Sequence, residues 1–150
     1  MEMSISAQWQ GKRQFVARGA SGHQVTMDAK PEVGGEDKGS RPMEMLLMGL
    51  AGCTGIDVTM ILEKMRQQLE RFSIEVVGKR REEYPQAFTE IHLTYRMDGD
   101  VDADKAWRAI VLSEEKYCSA SASLNATIIP HLVLNGTEIP SPTNNSGADV

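Results

Sequence analysis

Two cysteines, Cys53 and Cys118, are the residues of this chain best suited to covalent chemistry. A thiolate is a strong nucleophile and is readily oxidised, and its reactivity depends on what lowers or raises the thiol pKa. Cys53 closes the run Gly49-Leu50-Ala51-Gly52-Cys53 inside an apolar helical stretch. Glycine within a helix costs up to about 1 kcal/mol relative to alanine. Gly49 and Gly52 therefore point to close approach of a ligand or of another backbone, although helix packing alone accounts for them equally well. A buried cysteine is more often an inert small hydrophobe than a reagent. Cys118 follows Glu114-Glu115-Lys116-Tyr117 at a break between two helical pieces. A helix N-terminus and Lys116 would lower its pKa, while Glu114 and Glu115 oppose them. The two thiols are informative as a pair only if their sulfurs meet, which the sequence separation leaves open.

Two carboxylates lie in the same apolar helix. Glu44 is in its first turn, where it complements the helix dipole. At about 100° per residue, Glu44 and Cys53 fall on opposite faces of a straight helix, so Glu44 reaches a thiol only through a bend or across a dimer interface. Asp57 is one turn beyond Cys53 and shares its face; it would raise the thiol pKa unless a cation joins it, and a bridge to a neighbouring element is the simpler expectation. His23, His92 and His131 stand apart in strand-like segments, and no His/Cys/Asp spacing matches a metal site. No Gly-x-Ser-x-Gly elbow is present. Met43, Met45, Met48, Met60 and Met65 gather on the long helix, as in a Met-rich core or interface, or a soft pocket for an apolar substrate.

These residues need a scaffold, and 150 residues make one ordinary domain. A hydrophobic share of 41% with 25% charged residues supports a packed core. The net charge of −5 argues against a nucleic-acid binder, and two cysteines are too few for a disulfide-stapled secreted scaffold. Met1 to Gln14 holds no apolar block, so no secretory signal is expected. The longest uncharged apolar-rich stretch, Met45 to Ile56, is twelve residues and too short to span a bilayer. A soluble cytoplasmic protein is expected, with no membrane and no nucleic acid among its partners.

Residues 4–27 read as an antiparallel meander, with turns at Gly11-Lys12 and Ser21-Gly22. Lys30 to Arg41 is a polar, Gly-rich connector with neither phosphate-loop spacing, expected to be flexible. Pro42 opens the longest helix signal, with Ser40 as its cap. It is apolar on all sides to Leu62, then amphipathic through Glu63, Arg66, Gln68 and Arg71, so its first half should be central or at an interface. Phe72–Lys79 and Phe88–Met97 alternate as a hairpin. Asp102 or Asp104 caps a helix reaching about Lys116, with Ala106, Trp107, Ile110 and Val111 inward. Ser119–Asn125 reads as a short helix and Ile128–Leu134 as a last strand. The fold class is α+β, one domain over 1–139 with a loose, disordered tail over 140–150.

The segments Arg41-Pro42-Met43-Glu44-Met45-Leu46-Leu47-Met48-Gly49-Leu50-Ala51-Gly52-Cys53 and Glu115-Lys116-Tyr117-Cys118-Ser119 resemble the OsmC/Ohr family of osmotically inducible and organic hydroperoxide resistance proteins. Ser21-Gly22-His23 and Arg80-Arg81-Glu82-Glu83-Tyr84-Pro85 extend the likeness, most closely to its YhfA-type branch. The resemblance implies antiparallel sheets wrapped around two central helices in an intertwined homodimer. It implies a peroxidase in which Cys53 attacks an organic hydroperoxide and becomes a sulfenic acid. Cys118 then forms a disulfide with it, and a dithiol reductant such as a lipoyl protein restores both. Glu44 is the supporting carboxylate on this mapping, and neither metal nor flavin is required. The peroxidase members keep glutamate directly after the proline and pair it with an arginine. Here Met43 intervenes, and Arg13, Arg18 and Arg41 are the candidates for the arginine. The alternative is a non-enzymatic module of the same fold, binding a small apolar or electrophilic ligand at the dimer interface.

Overall fold

The computed structural model describes residues 1–142. The chain forms two compact units, residues 1–48 and the residues from Gly49 onward.

In the first unit, strands β1 (Ile5–Gly11), β2 (Gln14–Gly19) and β3 (Gln24–Met27) form the expected antiparallel meander in the order β1-β2-β3. Lys12 and Gly11 both adopt positive φ at the first turn, which lets so short a connection reverse the chain. The following connector is more ordered than its composition suggests. A 3₁₀ turn runs over Pro31–Val33. Asp28, 2% exposed, accepts the backbone N–H groups of Ala29 (2.7 Å), Glu36 (3.1 Å) and Lys38 (3.1 Å). Burial works to raise the Asp28 pKa, but these three donors and the Arg41 charge outweigh it and hold the carboxyl below its usual range. One carboxylate thus organises a loop that reads as flexible in sequence. Ser40 bridges Met27, and its carbonyl accepts from Asp28 N–H.

Helix α1 (Pro42–Lys64) starts at the expected proline. Glu44 Oε1 accepts from Arg41 N–H at 3.3 Å, which satisfies a donor just ahead of the first turn. The helix ends earlier than its amphipathic tail suggests. Arg66 adopts a left-handed conformation, and Gln67 N–H reaches back to Leu62 O, a Schellman closure built without glycine. Gln68–Arg71 belong to the next strand. Leu50, Thr54, Val58 and Leu62 form the only buried stripe of α1, at a constant spacing of one turn. Ile56 and Met60 on other faces are 63% and 52% exposed. By length and composition α1 could also cross a membrane, a test that counting uncharged residues does not reveal.

The second unit contains a four-stranded sheet ordered β4-β5-β6-β7, from β4 (Gln68–Arg80), β5 (Phe88–Asp100), β6 (Thr127–Leu134) and β7 (Thr137–Ile139). β4 and β5 form the expected hairpin. β5 and β6 run parallel, so the sheet is not wholly antiparallel. Between them the chain crosses through helix α2 (Ala103–Leu112), a π turn (Ser113–Tyr117) and helix α3 (Ser119–Ser123). Such a crossover returns the chain to run in the same direction. Of the two candidate caps, Asp102 takes the role, accepting from Lys105 N–H at 3.1 Å. The short β7 is an addition to the elements read from sequence. Trp107 Nε1–H donates to Ile139 O (3.2 Å) and ties it to α2.

Ile91, Leu93, Tyr95 and Met97 point to one face of β5 and are buried with Leu132 and Leu134 of β6. Ala106, Trp107, Ala109 and Ile110 supply the inward stripe of α2, much as the sequence pattern predicts; Val111 is only half-buried. Residues 140–142 of the expected tail are described, and the rest of that expectation lies outside the described residues.

Candidate active site

Cys53 and Cys118 meet. Their Sγ atoms and one carboxylate oxygen of Asp57 all lie within 4.8 Å of one another. Three features position them. Helix α1 places Cys53 and Asp57 one turn apart on the same face. The π turn closes with a 2.7 Å bond from Cys118 N–H to Ser113 O, a five-residue step that turns both Ser113 and Cys118 inward. Cys118 then caps α3, its Sγ accepting from Ser121 N–H at 3.3 Å.

The two thiols differ in exposure. Cys53 is half-buried and Cys118 is 3% exposed; neither is in a disulfide. Burial foremost, with the hydrogen bond to Cys53 beside it, pushes the Cys118 thiol up to about 11 against the backbone N–H groups of Ser121 and Ala120. The helix start expected to activate Cys118 is present, but desolvation outweighs it. Asp57 is engaged by Ser113, whose Oγ–H donates to Oδ2 at 3.0 Å, as expected of a bridge to a neighbouring element.

Behind this cluster lies a buried polar network that residue spacing does not foresee. Thr54 Oγ1 lies 2.7 Å from Tyr95 OH and 2.8 Å from Ser113 Oγ. Tyr95 OH is 3.3 Å from Glu114 Oε1. Thr54, Ser113 and Tyr95 have no exposure at all. Burial, with Glu115 adding repulsion, pushes the Glu114 carboxyl up to about 7. Burial likewise raises Tyr95. The available signal was Thr54, the lone polar residue in the stripe Leu50-Thr54-Val58-Leu62; Ser113 carried none.

Beside the thiols, Asp57 also borders a groove of about 360 Å³, lined by Met60, Ile61, Met65, Leu112, Tyr117 and Lys64. Its walls are mostly apolar, with Met60 of α1 and Met65 just past the helix end among them. Among the described residues, Cys53, Asp57 and Cys118 form one trio of possible ligand atoms, in which Asp57 accepts from Ser113 and Cys118 from Ser121.

The other sequence candidates have partners of their own. Glu44 has its carboxylate on Arg41 N–H, as the first-turn reading expects. Arg41 pairs with Asp37 at 2.6 Å, and Arg13 lies over Gly34. His92 and His131 are not isolated: parallel pairing of β5 and β6 brings His92 Nδ1 within 2.8 Å of His131 Nε2, with the rings stacked. His92 also bonds Glu90, which, with the Lys79 charge, holds that carboxyl below its usual range. This pair alternates with the buried Ile91 and Leu93, so it faces away from the core. His23 is exposed beside Ser21.

A long helix carrying a cysteine, an antiparallel meander, and a second cysteine within the crossover between two parallel strands define a protein of the OsmC type, and the chain belongs to the OsmC-like protein family, whose model matches residues 35–131. It is 39% identical over 127 residues to Protein YhfA of Escherichia coli K12, covering 84% of this chain and 92% of that protein. A hypothetical protein from Aquifex aeolicus VF5 superposes with a TM-score of 0.75 at 32% identity, covering 90% of this chain and 98% of the other. The organic hydroperoxide resistance protein OsmC of Legionella pneumophila shares the fold, with a TM-score of 0.65 at 16% identity over 89% of this chain and 96% of the other.

Proposed function

We propose that this chain is a thiol peroxidase for organic hydroperoxides, with Cys53 as the peroxidatic and Cys118 as the resolving cysteine. The observation that carries the reading is the approach of the two sulfurs within 4.8 Å, one half-buried and one almost fully buried. The accessible thiol is the one a substrate can reach. The buried one stays protonated at neutral pH, which suits a thiol that waits for a sulfenic acid and does not itself meet peroxide. The groove bordering Asp57 supplies apolar walls for the organic part of the substrate. Family membership and the name of the Legionella protein favour the same chemistry.

Cys53 thiolate attacks the terminal oxygen of the hydroperoxide. The S–O bond forms as the O–O bond breaks, and the alkoxide that leaves takes up a proton to become the alcohol. Cys118 attacks the sulfenic sulfur, forming the disulfide and releasing water. A dithiol, such as a lipoyl protein, returns both cysteines to thiols. A reducing compartment, the cytoplasm, fits this cycle. Residues 1–139 act as one OsmC-like domain in this reading, with Glu44 in support. The exposed Ile56 and Met60 on α1 favour a homodimer in which the helix of a second copy covers that face in place of lipid.

The test is intact mass with a thiol count, before and after one equivalent of cumene hydroperoxide, for wild type, Cys53→Ser and Cys118→Ser. Expected are loss of two hydrogens in wild type, gain of one oxygen in Cys118→Ser and no change in Cys53→Ser. If all three stay unchanged over minutes, the peroxidase reading fails and the alternative, a binding module for an apolar or electrophilic ligand, takes its place.

A further inference from the structure

The network behind the cysteines has more links than hydroxyl hydrogens. Four close contacts join five side chains in the order Asp57, Ser113, Thr54, Tyr95, Glu114, at 3.0, 2.8, 2.7 and 3.3 Å. The three hydroxyls supply one hydrogen each. Four links need four hydrogens, so a fully bonded network requires one more. Only a carboxyl proton on Asp57 or on Glu114 can provide it. The middle three groups are sealed from solvent, where an unmade hydrogen bond costs about 1–3 kcal/mol.

Two arrangements satisfy every link. With the extra proton on Glu114, the donors run from Glu114 to Tyr95, Thr54, Ser113 and finally Asp57. With it on Asp57, every hydroxyl turns round. The two differ by the net passage of one proton from end to end. One end, Glu114, is partly exposed; the other lies against the sulfur pair.

We propose that these five side chains form a proton relay that delivers a proton from Glu114 to Asp57 beside the reacting sulfurs. The inference rests on the peroxidase reading, because it assigns a source for the one proton that reaction must find. When Cys53 takes the terminal oxygen, sulfur loses two electrons, the O–O bond breaks and an alkoxide leaves. One concerted shift along Tyr95, Thr54 and Ser113 passes the Glu114 proton to Asp57, and Asp57 gives it to that alkoxide. Resolution needs no further proton, since the Cys118 thiol hydrogen leaves with hydroxide as water. Glu114 then regains its proton from solvent. The ionisable groups around the relay are Cys53 on α1, Tyr95 on β5, Glu115 and Cys118 in the segment after α2, and Lys64 and Tyr117 in the groove that Asp57 borders. The raised Glu114 keeps the relay charged below about pH 7.

The experiment is single-turnover oxidation of Cys53 by cumene hydroperoxide in the reduced full chain, quenched and read by mass from about pH 5.5 to 9, in wild type, Tyr95→Phe and Glu114→Gln. The wild-type rate should fall above about pH 7. Both variants should be slower by about tenfold or more below that pH, and both should lose the fall. Glu114→Gln leaves the buried hydroxyls in place and so keeps the test decisive if Tyr95→Phe does not fold. Variants with the wild-type rate and profile overturn the relay. Slower variants that keep the alkaline fall also overturn it, because a structural role alone gives that result. Failure of wild type to react at any pH overturns instead the peroxidase reading on which the relay rests.

Discussion

Replacing Thr54 with valine removes one hydroxyl from the middle of the buried network and leaves its volume almost unchanged. Thr54 is fully buried and bonded to both Tyr95 and Ser113. Neither partner is orphaned, because Tyr95 keeps Glu114 and Ser113 keeps Asp57. The loss is therefore two net hydrogen bonds, about 0.5–1.5 kcal/mol each, or about 1–3 kcal/mol together. The added methyl returns part of this, at most about 1 kcal/mol. A destabilisation of about 1–2 kcal/mol is expected, which moves a urea midpoint down by about 0.5–1 M. Urea unfolding at a fixed protein concentration measures it, since a dimer's stability depends on concentration. Thr54→Ser serves as control: it keeps the hydroxyl and loses one methyl, about 1 kcal/mol, and leaves the relay's pH profile intact. A Thr54→Val protein as stable as wild type, or more so, would refute the hydrogen-bonded arrangement.

Apart from its chain neighbours and its own helix backbone, Gly52 has no atom within 4 Å of where a Cβ would stand. On an open helix face Gly52→Ala would stabilise by about 1 kcal/mol; with a second copy packed there it should weaken the dimer, and size-exclusion chromatography with thermal melts separates the two. Gly99 has φ of +137°, and a Cβ would lie 2.1 Å from Gln68 O, so Gly99→Ala should cost about 2 kcal/mol or more in urea unfolding. Glu114 titrates higher in the folded protein than in the unfolded chain, so the native state binds more protons between about pH 4.5 and 7. Its contribution to stability is complete below that window and is lost as pH rises through it. Glu114→Gln should flatten the stability profile there, and an unchanged slope would count against the buried, protonated carboxyl.

Much of the chain is legible from local pattern. The period-two alternation of Phe88 to Met97, the apolar stripe Ala106-Trp107-Ile110 and the proline start of α1 each depend on neighbours a few residues away, and the structure follows them. The motifs around Cys53 and Cys118 carry the family for the same reason: each is a short string of residue types. Local pattern misleads where two outcomes share one composition. Gln68–Arg71 suits a helix tail as well as a strand. What decides is the Schellman turn at Arg66 and the pairing of Gln68 with Asp100. The connector ahead of α1 reads as loose because nothing nearby shows that the Asp28 side chain folds inward over it.

The site itself divides along the same line. Both cysteines, and Asp57 one helical turn from Cys53, can be named from spacing alone, because helix geometry is local. The meeting of the sulfurs, the link from Asp57 to Ser113, and the contact between His92 and His131 all join residues far apart in sequence. Those pairings depend on β6 lying parallel to β5 and on the π turn that faces Ser113 and Cys118 inward. Residue types, periodicity and family follow from the chain because they are set within a few peptide units. The thiol pair, its carboxylate and the proton network arise only on folding, because the burial of many distant side chains together selects one strand pairing and one crossover.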